Sequence, residues 1–319
     1  MKNKKILKTI TLLMVFVLTF SILSGCIRKK ENQNEKISDS NDTEAEVNYP
    51  MTVKDDFGNE VKIEKLPMRI ISLAPSHTEI LFKLGLGDRV VGVTNYCDFP
   101  KEAKEKEKIG DLMNINVEKI IELEPDLVIQ YGEGKEEINN QIRQAGIALL
   151  SYEPESIQEV IDLIKEIGKI TGAQRAAELT TIEMTSKRDY IIEKVKDAKK
   201  PKVFYEVWDD PLMAAGPGSF IDELITLAGG ENIAKDAKGK YPQFSLEKLI
   251  ERNPQVYLGA KEEGKTVEQI KTREGYEIID AIKNDRVYLL EPNIISRPGP
   301  RIVDGLEIMA KTIHPELFK

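Results

Sequence analysis

Histidine, cysteine and tryptophan are scarce in this chain: its 319 residues hold two His, two Cys and one Trp, and aromatic residues make up 6%. Two cysteines cannot build a disulfide framework. A four-ligand N/S zinc site cannot be assembled from His77, His314 and one free thiol unless carboxylates complete it, so no metal site is expected. There is no Gly-x-Ser-x-Gly elbow, no phosphate loop ending in Gly-Lys-Ser/Thr, and no Gly-x-Gly-x-x-Gly after a strand. The commoner hydrolase, nucleotide and dinucleotide chemistries therefore lack their residues, and neither a catalytic group nor a cofactor is expected. Gly216-Pro217-Gly218-Ser219 reads as a turn with Ser219 as a helix N-cap rather than as an anion cradle. Acidic residues outnumber basic ones, 54 to 46, which disfavours nucleic acid and anionic lipid surfaces as partners.

Long apolar runs are also missing, except at the start. Lys2, Lys4, Lys5 and Lys8 precede a run from Ile10 to Leu23. A membrane-spanning helix needs roughly 20 apolar residues, so this shorter run suits the core of a cleaved secretory signal over residues 1–25. It ends in Leu23-Ser24-Gly25-Cys26, which resembles the lipobox of bacterial lipoproteins and implies a lipid on the sulfur of Cys26. Losing the signal takes the formal net charge from −8 to −12. Residues 26–50 are rich in Asn, Glu, Ser and Asp and read as a flexible polar tether. With Cys26 lipidated, Cys97 has no partner and is expected as a buried free thiol.

The remaining chain alternates strand and helix. Residues 52–63 read as a hairpin around Phe57-Gly58-Asn59, and strands are expected at Ile70–Leu73, Arg89–Val93, Leu127–Tyr131 and Ile147–Tyr152. Ser76-His77-Thr78-Glu79 has the spacing of a capping box opening a helix that stops at Gly85. Further helices are expected around Val117–Leu123, around Gln141, and over residues 155–171, where Ile157, Val160, Ile161, Ile164 and Ile167 share a face. A last periodic stretch, about Ala173 to Ala198, would make a rod of roughly 39 Å.

An internal repeat organises these elements. Val117-Glu118-Lys119-Ile120-Ile121-Glu122 and Leu246-Glu247-Lys248-Leu249-Ile250-Glu251 share a pattern, and each leads to a proline, Pro125 or Pro254, and then an apolar strand. The strand after Pro67, its helix and Gly85 have a counterpart in Val203–Val207, Phe220–Ala228 and Gly229. The fold expected is α/β: two similar lobes with mainly parallel central sheets flanked by helices, residues 51–171 and 200–319, joined by a single long helix over 172–199.

Several segments then meet a known pattern. Arg69-Ile-Ile-Ser-Leu-Ala-Pro75-Ser-His-Thr-Glu79, Val91-Gly-Val-Thr-Asn-Tyr-Cys-Asp98-Phe-Pro100, Ile109-Gly-Asp, Pro125-Asp126-Leu-Val-Ile, Gly229-Gly-Glu-Asn232-Ile and Arg297-Pro-Gly-Pro-Arg301 resemble the helix-linked (class III periplasmic-binding-protein-like) substrate-binding proteins of cobalamin, siderophore and haem importers. The vitamin B12-binding branch looks most alike. The resemblance implies a monomeric, lipid-anchored receptor on the outer face of the cytoplasmic membrane, serving a dimeric ABC permease with a cytoplasmic ATPase. It implies cobalamin or another corrinoid as ligand, with a ferric siderophore or haem as the alternative. A lipid-anchored sensor or metalloenzyme on the same fold is the reading from another class.

The resemblance also implies roles for individual residues. Glu118 and Glu247, the acids equated by the repeat, fall where each lobe docks on a permease arginine. Tyr96, Tyr131, Tyr241 and the segment carrying Trp208 fall where aromatic faces would meet a corrinoid, and Asn293 falls near a polar contact. Leu112 stands aliphatic where cobalamin binders resemble one another with an aromatic. From the residues alone, His77 is either a ligand contact or an exposed first-turn residue, Arg297 either pairs with an anionic ligand or fixes its loop, and His314 is a terminal surface residue.

Overall fold

The computed structural model describes residues 47–111 and 113–319. The signal, the lipidation site Cys26, nearly all of the tether and Leu112 lie outside the described residues. In the first lobe, strands β1 (Met51–Lys54) and β2 (Glu60–Ile63) form an antiparallel hairpin. Its turn is built by Asp55, whose carboxylate accepts from the backbone N–H groups of Phe57 and Asn59, while Gly58 takes φ +83°. There follow β3 (Ile70–Ser72), α1 (Pro75–Lys83), β4 (Val90–Val93), β5 (Glu107–Lys108), α2 (Val117–Glu122), β6 (Leu127–Tyr131), α3 (Glu136–Gln144) and β7 (Ala148–Tyr152). The strands pair in the order β5-β4-β3-β6-β7, all parallel. Leu127, Val128 and Ile129 are fully buried because helices cover both faces, which is why the strand reads as a continuous apolar run rather than an alternation.

Two helices leave this lobe. In α4 (Ile157–Thr171) the Ser156 hydroxyl caps the first turn by accepting from Glu159 N–H, and Gly172 ends it at φ +70°. Its apolar face is buried along its whole length, and truncating Ile164 to Ala would cost about 2–5 kcal/mol. The linking helix α5 (Gln174–Val195) has 22 residues, about 33 Å of rod. It is shorter than its periodicity suggests because the chain turns at Val195, whose carbonyl accepts from Ala198 N–H, ahead of Pro201.

The second lobe comprises β8 (Lys202–Asp209), β9 (Leu212–Ala214), α6 (Phe220–Leu227), β10 (Glu231–Asn232), α7 (Leu246–Arg252), β11 (Val256–Ala260), α8 (Val267–Lys271), α9 (Asp280–Lys283), β12 (Val287–Leu290), α10 (Pro292–Ile295) and α11 (Ile302–Ile313). Parallel strands run β10-β8-β11-β12, and β9 adds antiparallel to β8. Leaving aside the two-residue edge strand β5, in each sheet the lobe's first parallel strand is flanked by the next and the third, with the fourth outside: β4-β3-β6-β7 matches β10-β8-β11-β12.

The duplication extends to single backbone groups. Asp126 N–H donates to Arg69 O at 2.8 Å and Gln255 N–H to Lys202 O at 2.8 Å. Glu124 (φ 43°) and Asn253 (φ 44°) are both left-handed residues directly before the two prolines. Gly85 (φ 77°) and Gly229 (φ 78°) end α1 and α6 with the same pair of backbone hydrogen bonds.

Ser219 caps α6, accepting from Asp222 N–H, as the Gly216–Ser219 turn implied. Cys97 is a buried free thiol between the hydroxyls of Thr78 and Thr94, each 3.1 Å from its sulfur. One expectation fails at α1. The helix begins at Pro75, with Ala74 as N-cap and no side-chain cap, because proline at the first helical position fixes the start one residue before Ser76. Glu79 therefore does not close a capping box. His314 is not a surface residue either: α11 folds back on the second lobe and buries it to 2% exposure, with Nε2 3.1 Å from Gly229 O.

Candidate functional site

Parallel α/β sheets place ligand sites beyond the carboxyl ends of their strands. There the first lobe carries a cavity of about 710 Å³ whose wall includes Leu73 after β3, Tyr131 and Glu133 at the end of β6, and Met113, Asn116 and Ile138 from flanking elements. Tyr131 is half-buried. Its phenol is pushed up to about 12, by burial first and then by the nearby charges of Glu153, Tyr241 and Glu155. Tyr241 belongs to the second lobe, so the end of β6 looks across the cleft at it. Burial first, then Glu262, Tyr241 and Glu206, likewise push up Tyr205, on β8. Lys240 of the second lobe pairs with Glu155 of the first across the same opening. The cavity itself is walled by first-lobe residues, and Tyr241 and Lys240 of the second lobe stand across from its phenol and carboxylates.

Of the other expected contacts, Tyr96, Trp208 and Tyr241 are exposed, at 65%, 52% and 51%. Trp208 lies at the end of β8, its indole N–H donating to Asp210 O at 2.8 Å, which fixes the ring. Asn293, on α10, is half-buried, and its carbonyl accepts from Arg301 at 3.4 Å.

His77 is buried, and Arg297 is paired within the protein. His77 has no exposed surface, because Pro75 starts α1 early and turns this residue inward against Tyr131 and Tyr152, ring centroids 6.0 and 6.4 Å away. Burial lowers its pKa to about 3, so the ring is neutral. Arg297 spends its guanidinium on the first lobe, donating to Asp98 at 2.6 Å and Glu79 at 3.3 Å.

Arg301 donates to both oxygens of Glu79, at 2.8 and 2.6 Å, and stacks on the Phe99 ring at 3.8 Å. Gly299 lets this loop approach α1, since a Cβ there would sit 3.2 Å from Ser76 O. The result is a clasp between lobes with Glu79, side chain 2% exposed, at its centre. The repeated arginines of Arg297-Pro-Gly-Pro-Arg301 were the available signal, but their acceptor lies 218 and 222 positions away.

Glu118 and Glu247 occupy the same place in the two lobes: second residue of a short helix whose N-cap side chain, Asn116 or Ser245, accepts from the N–H of the residue after the glutamate, Lys119 or Lys248. Both side chains are exposed on the strand-end rim, and neither forms an ion pair among the described residues. Glu247 is held below the usual carboxylate range by its own backbone N–H and the Ser245 hydroxyl.

Two lobes of one topology, a linking helix and a cavity at the strand ends are the architecture of a two-lobed binding protein. The model of the periplasmic binding protein family matches residues 70–294, and the chain belongs to that family. It is 35% identical over 306 residues to YvrC of Bacillus subtilis, an uncharacterized ABC transporter substrate-binding lipoprotein, covering 93% of this chain and 95% of that one. It is 30% identical over 240 residues to the vitamin B12-binding protein of Vibrio cholerae, covering 75% of this chain and 86% of the other. A possible iron-binding (periplasmic solute-binding) protein from Staphylococcus epidermidis superposes with a TM-score of 0.71 at 35% identity, covering 78% of this chain and all of that one.

Proposed function

We propose that this protein is the extracytoplasmic substrate-binding component of an ABC importer, that it captures cobalamin or a related corrinoid in the cleft, and that it releases this ligand to a dimeric permease driven by a cytoplasmic ATPase. No helix among the described residues is long and apolar enough to cross a membrane, and a lipid on Cys26 holds the protein at the outer face of the cytoplasmic membrane. Glu118 and Glu247 dock on the permease. A two-fold partner needs matched contacts, and these exposed carboxylates occupy equivalent positions in the two lobes.

The observation that carries the choice of ligand is the consumption of Arg297. A ferric siderophore or a haem propionate needs a fixed cation, and the guanidinium nominated for it is bound to Glu79 and Asp98. Around Tyr131 the cleft offers phenols, with Glu153 and Glu155 beside them. Such a wall suits a large, partly apolar ligand rich in neutral amides. His77, fully buried, cannot serve as an axial ligand to haem iron.

The test is optical. Mature protein is mixed separately with cyanocobalamin, haem and a ferric hydroxamate, then desalted. Retention of the cyanocobalamin spectrum at a one-to-one ratio is expected, retention of a ferric siderophore alone would reassign the ligand, and retention of none would overturn the reading.

A further inference from the structure

The two lobes differ at one pair of equivalent positions. Ile70 of β3 pairs with Leu127, and Val203 of β8 with Val256, so the residues three further along, Leu73 and Glu206, are counterparts. In the first lobe Leu73 helps to wall the cavity at the strand ends. In the second lobe the same place holds Glu206, fully buried, whose carboxylate accepts from Lys265 Nζ at 2.9 Å, from both terminal nitrogens of Arg273 and from the Tyr257 hydroxyl. Burial works against this charge, but the hydrogen bonds outweigh it and hold the carboxyl below its usual range.

Stability alone does not account for the glutamate. Leu73 shows that the position accepts an apolar side chain, and a buried ion cluster seldom stabilises a fold more than well-packed apolar residues do. What the ions do is hold a loop. Residues 261–265 leave β11 at the strand ends, as 132–135 leave β6 in the first lobe. Lys261 N–H donates to Leu290 O at 2.8 Å, and at the other end Thr266 opens α8 with a capping box. Between them Lys265 N–H donates to Glu262 O at 3.2 Å, across a turn in which Gly264 is left-handed at φ +79°. The Lys265 side chain then runs inward, 11% exposed, to Glu206.

The tip fixed in this way stands at the cleft. Burial, then Glu262 and Tyr241, push up the Tyr205 phenol, and Tyr241 also acts, after burial and Glu153, on Tyr131 of the first-lobe cavity. Lys261 and Glu262 are exposed and form no ion pair among the described residues. A carboxamide is both a donor and an acceptor, and a free carboxylate beside a free ammonium answers both. We propose that the loop 261–265 is the second lobe's polar contact with the ligand, Glu262 and Lys261 meeting its peripheral carboxamides, and that Lys265 is the positioning residue that holds this loop through Glu206. The inference rests on the reading of the cleft as the site of an amide-rich corrinoid. On this arrangement the first lobe receives the ligand in a cavity and the second meets it with a fixed edge.

The test uses mature protein carrying Lys265→Met, Lys265→Arg or Glu262→Ala, read by amide exchange without ligand, by calorimetric titration of cyanocobalamin and by melting temperature. Lys265→Met leaves Glu206 its bonds to Arg273 and Tyr257, so the lobe keeps its fold. It should speed exchange over residues 262–265 by about tenfold and weaken cyanocobalamin binding by about tenfold, because binding must then order the loop. Lys265→Arg keeps the cation and should restore both. Glu262→Ala, at an exposed position, should weaken binding about threefold with loop exchange and melting temperature unchanged. A purely structural lysine would lower the melting temperature and leave the affinity alone. Unchanged exchange in Lys265→Met, or unchanged affinity in both Lys265→Met and Glu262→Ala, would overturn the proposal while binding by the wild type left the ligand reading intact. Retention of no cyanocobalamin by the wild type would overturn both together.

Discussion

Arg297 of the second lobe and Asp98 of the first are joined by a charged hydrogen bond of 2.6 Å, and the same guanidinium reaches Glu79 at 3.3 Å. Burial works against the Asp98 charge, but the hydrogen bond and charge of Arg297 outweigh it and hold the carboxyl below its usual range. Asp98 is 43% exposed and Glu79 2%, so the two ends of the clasp are not equal in energy. Water screens the outer pair and cannot reach the inner carboxylate.

Removing the inner carboxylate should therefore cost far more than removing the outer one. Glu79→Gln leaves the Arg301 guanidinium without its counter-charge and Arg297 with only the exposed Asp98, and should lower stability by about 3–5 kcal/mol. Asp98→Asn should cost under about 1 kcal/mol. Denaturant midpoints of the two variants, compared at pH 7.5, check this, and equal losses would show that the clasp is not centred on Glu79.

The docking glutamates make a prediction of the opposite kind, a loss of function without a loss of binding. Glu118→Ala and Glu247→Ala remove exposed side chains that form no ion pair among the described residues, so stability should change by less than about 0.5 kcal/mol. The double variant should retain ligand through desalting yet fail to support uptake in cells that rely on this importer. Weakened ligand retention would instead place these residues in the cleft.

How legible this was depended on whether a residue's partner was near in sequence. Leu127–Tyr131 and the helix before it stand out because an apolar run, a proline and an amphipathic stretch are local signals, and because Leu246–Arg252 and Val256–Ala260 repeat them. The equivalence of Glu118 and Glu247 came from the same repetition. Glu79 was legible only as the end of a Ser-x-x-Glu pattern, and its true partners are brought to it by the fold. His314 looked terminal, but its burial is decided by where α11 packs, which periodicity does not state. The short α8, α9 and α10, of four or five residues, carry too little periodicity to mark themselves.

His77 predicts a pH dependence. Its folded pKa is near 3, against 6.5 for an unburied histidine, because burial disfavours the charged ring. The unfolded chain therefore takes up a proton that the folded one refuses. The sign follows: this contribution is fully present above about pH 6.5 and is lost as pH falls toward 3, at up to about 1.4 kcal/mol per pH unit. Between pH 6.5 and 5.5 the buried carboxyls of Glu166 and Glu223, pushed up by burial, contribute with the opposite sign, so the difference from a His77 variant, rather than the wild-type slope, isolates this histidine. His77→Phe keeps a ring between Tyr131 and Tyr152 and removes a buried Nε2 that has no partner. Unfolding free energies across that window should decline less steeply in this variant than in wild type, and identical slopes would mean that His77 is protonated in the folded state.

Ligand capture should move the lobes little. A hinge opens easily when only extended strands cross it, but here a 22-residue helix crosses, and its Ala177, Met184, Ile191 and Val195 belong to one buried cluster that also contains Ile164 of α4 and Leu306 and Met309 of α11. Opening the cleft would have to shear that cluster or part Arg297 and Arg301 from Glu79. X-ray scattering of mature protein with and without cyanocobalamin should then give radii of gyration within about 1 Å of each other. Glu79→Gln should widen the gap between the two states, because it leaves the helix and the shared core in place and releases only the clasp. A wild-type change of several ångströms would show that the rod bends. A small change in both proteins would assign the stiffness to α5 and its core alone.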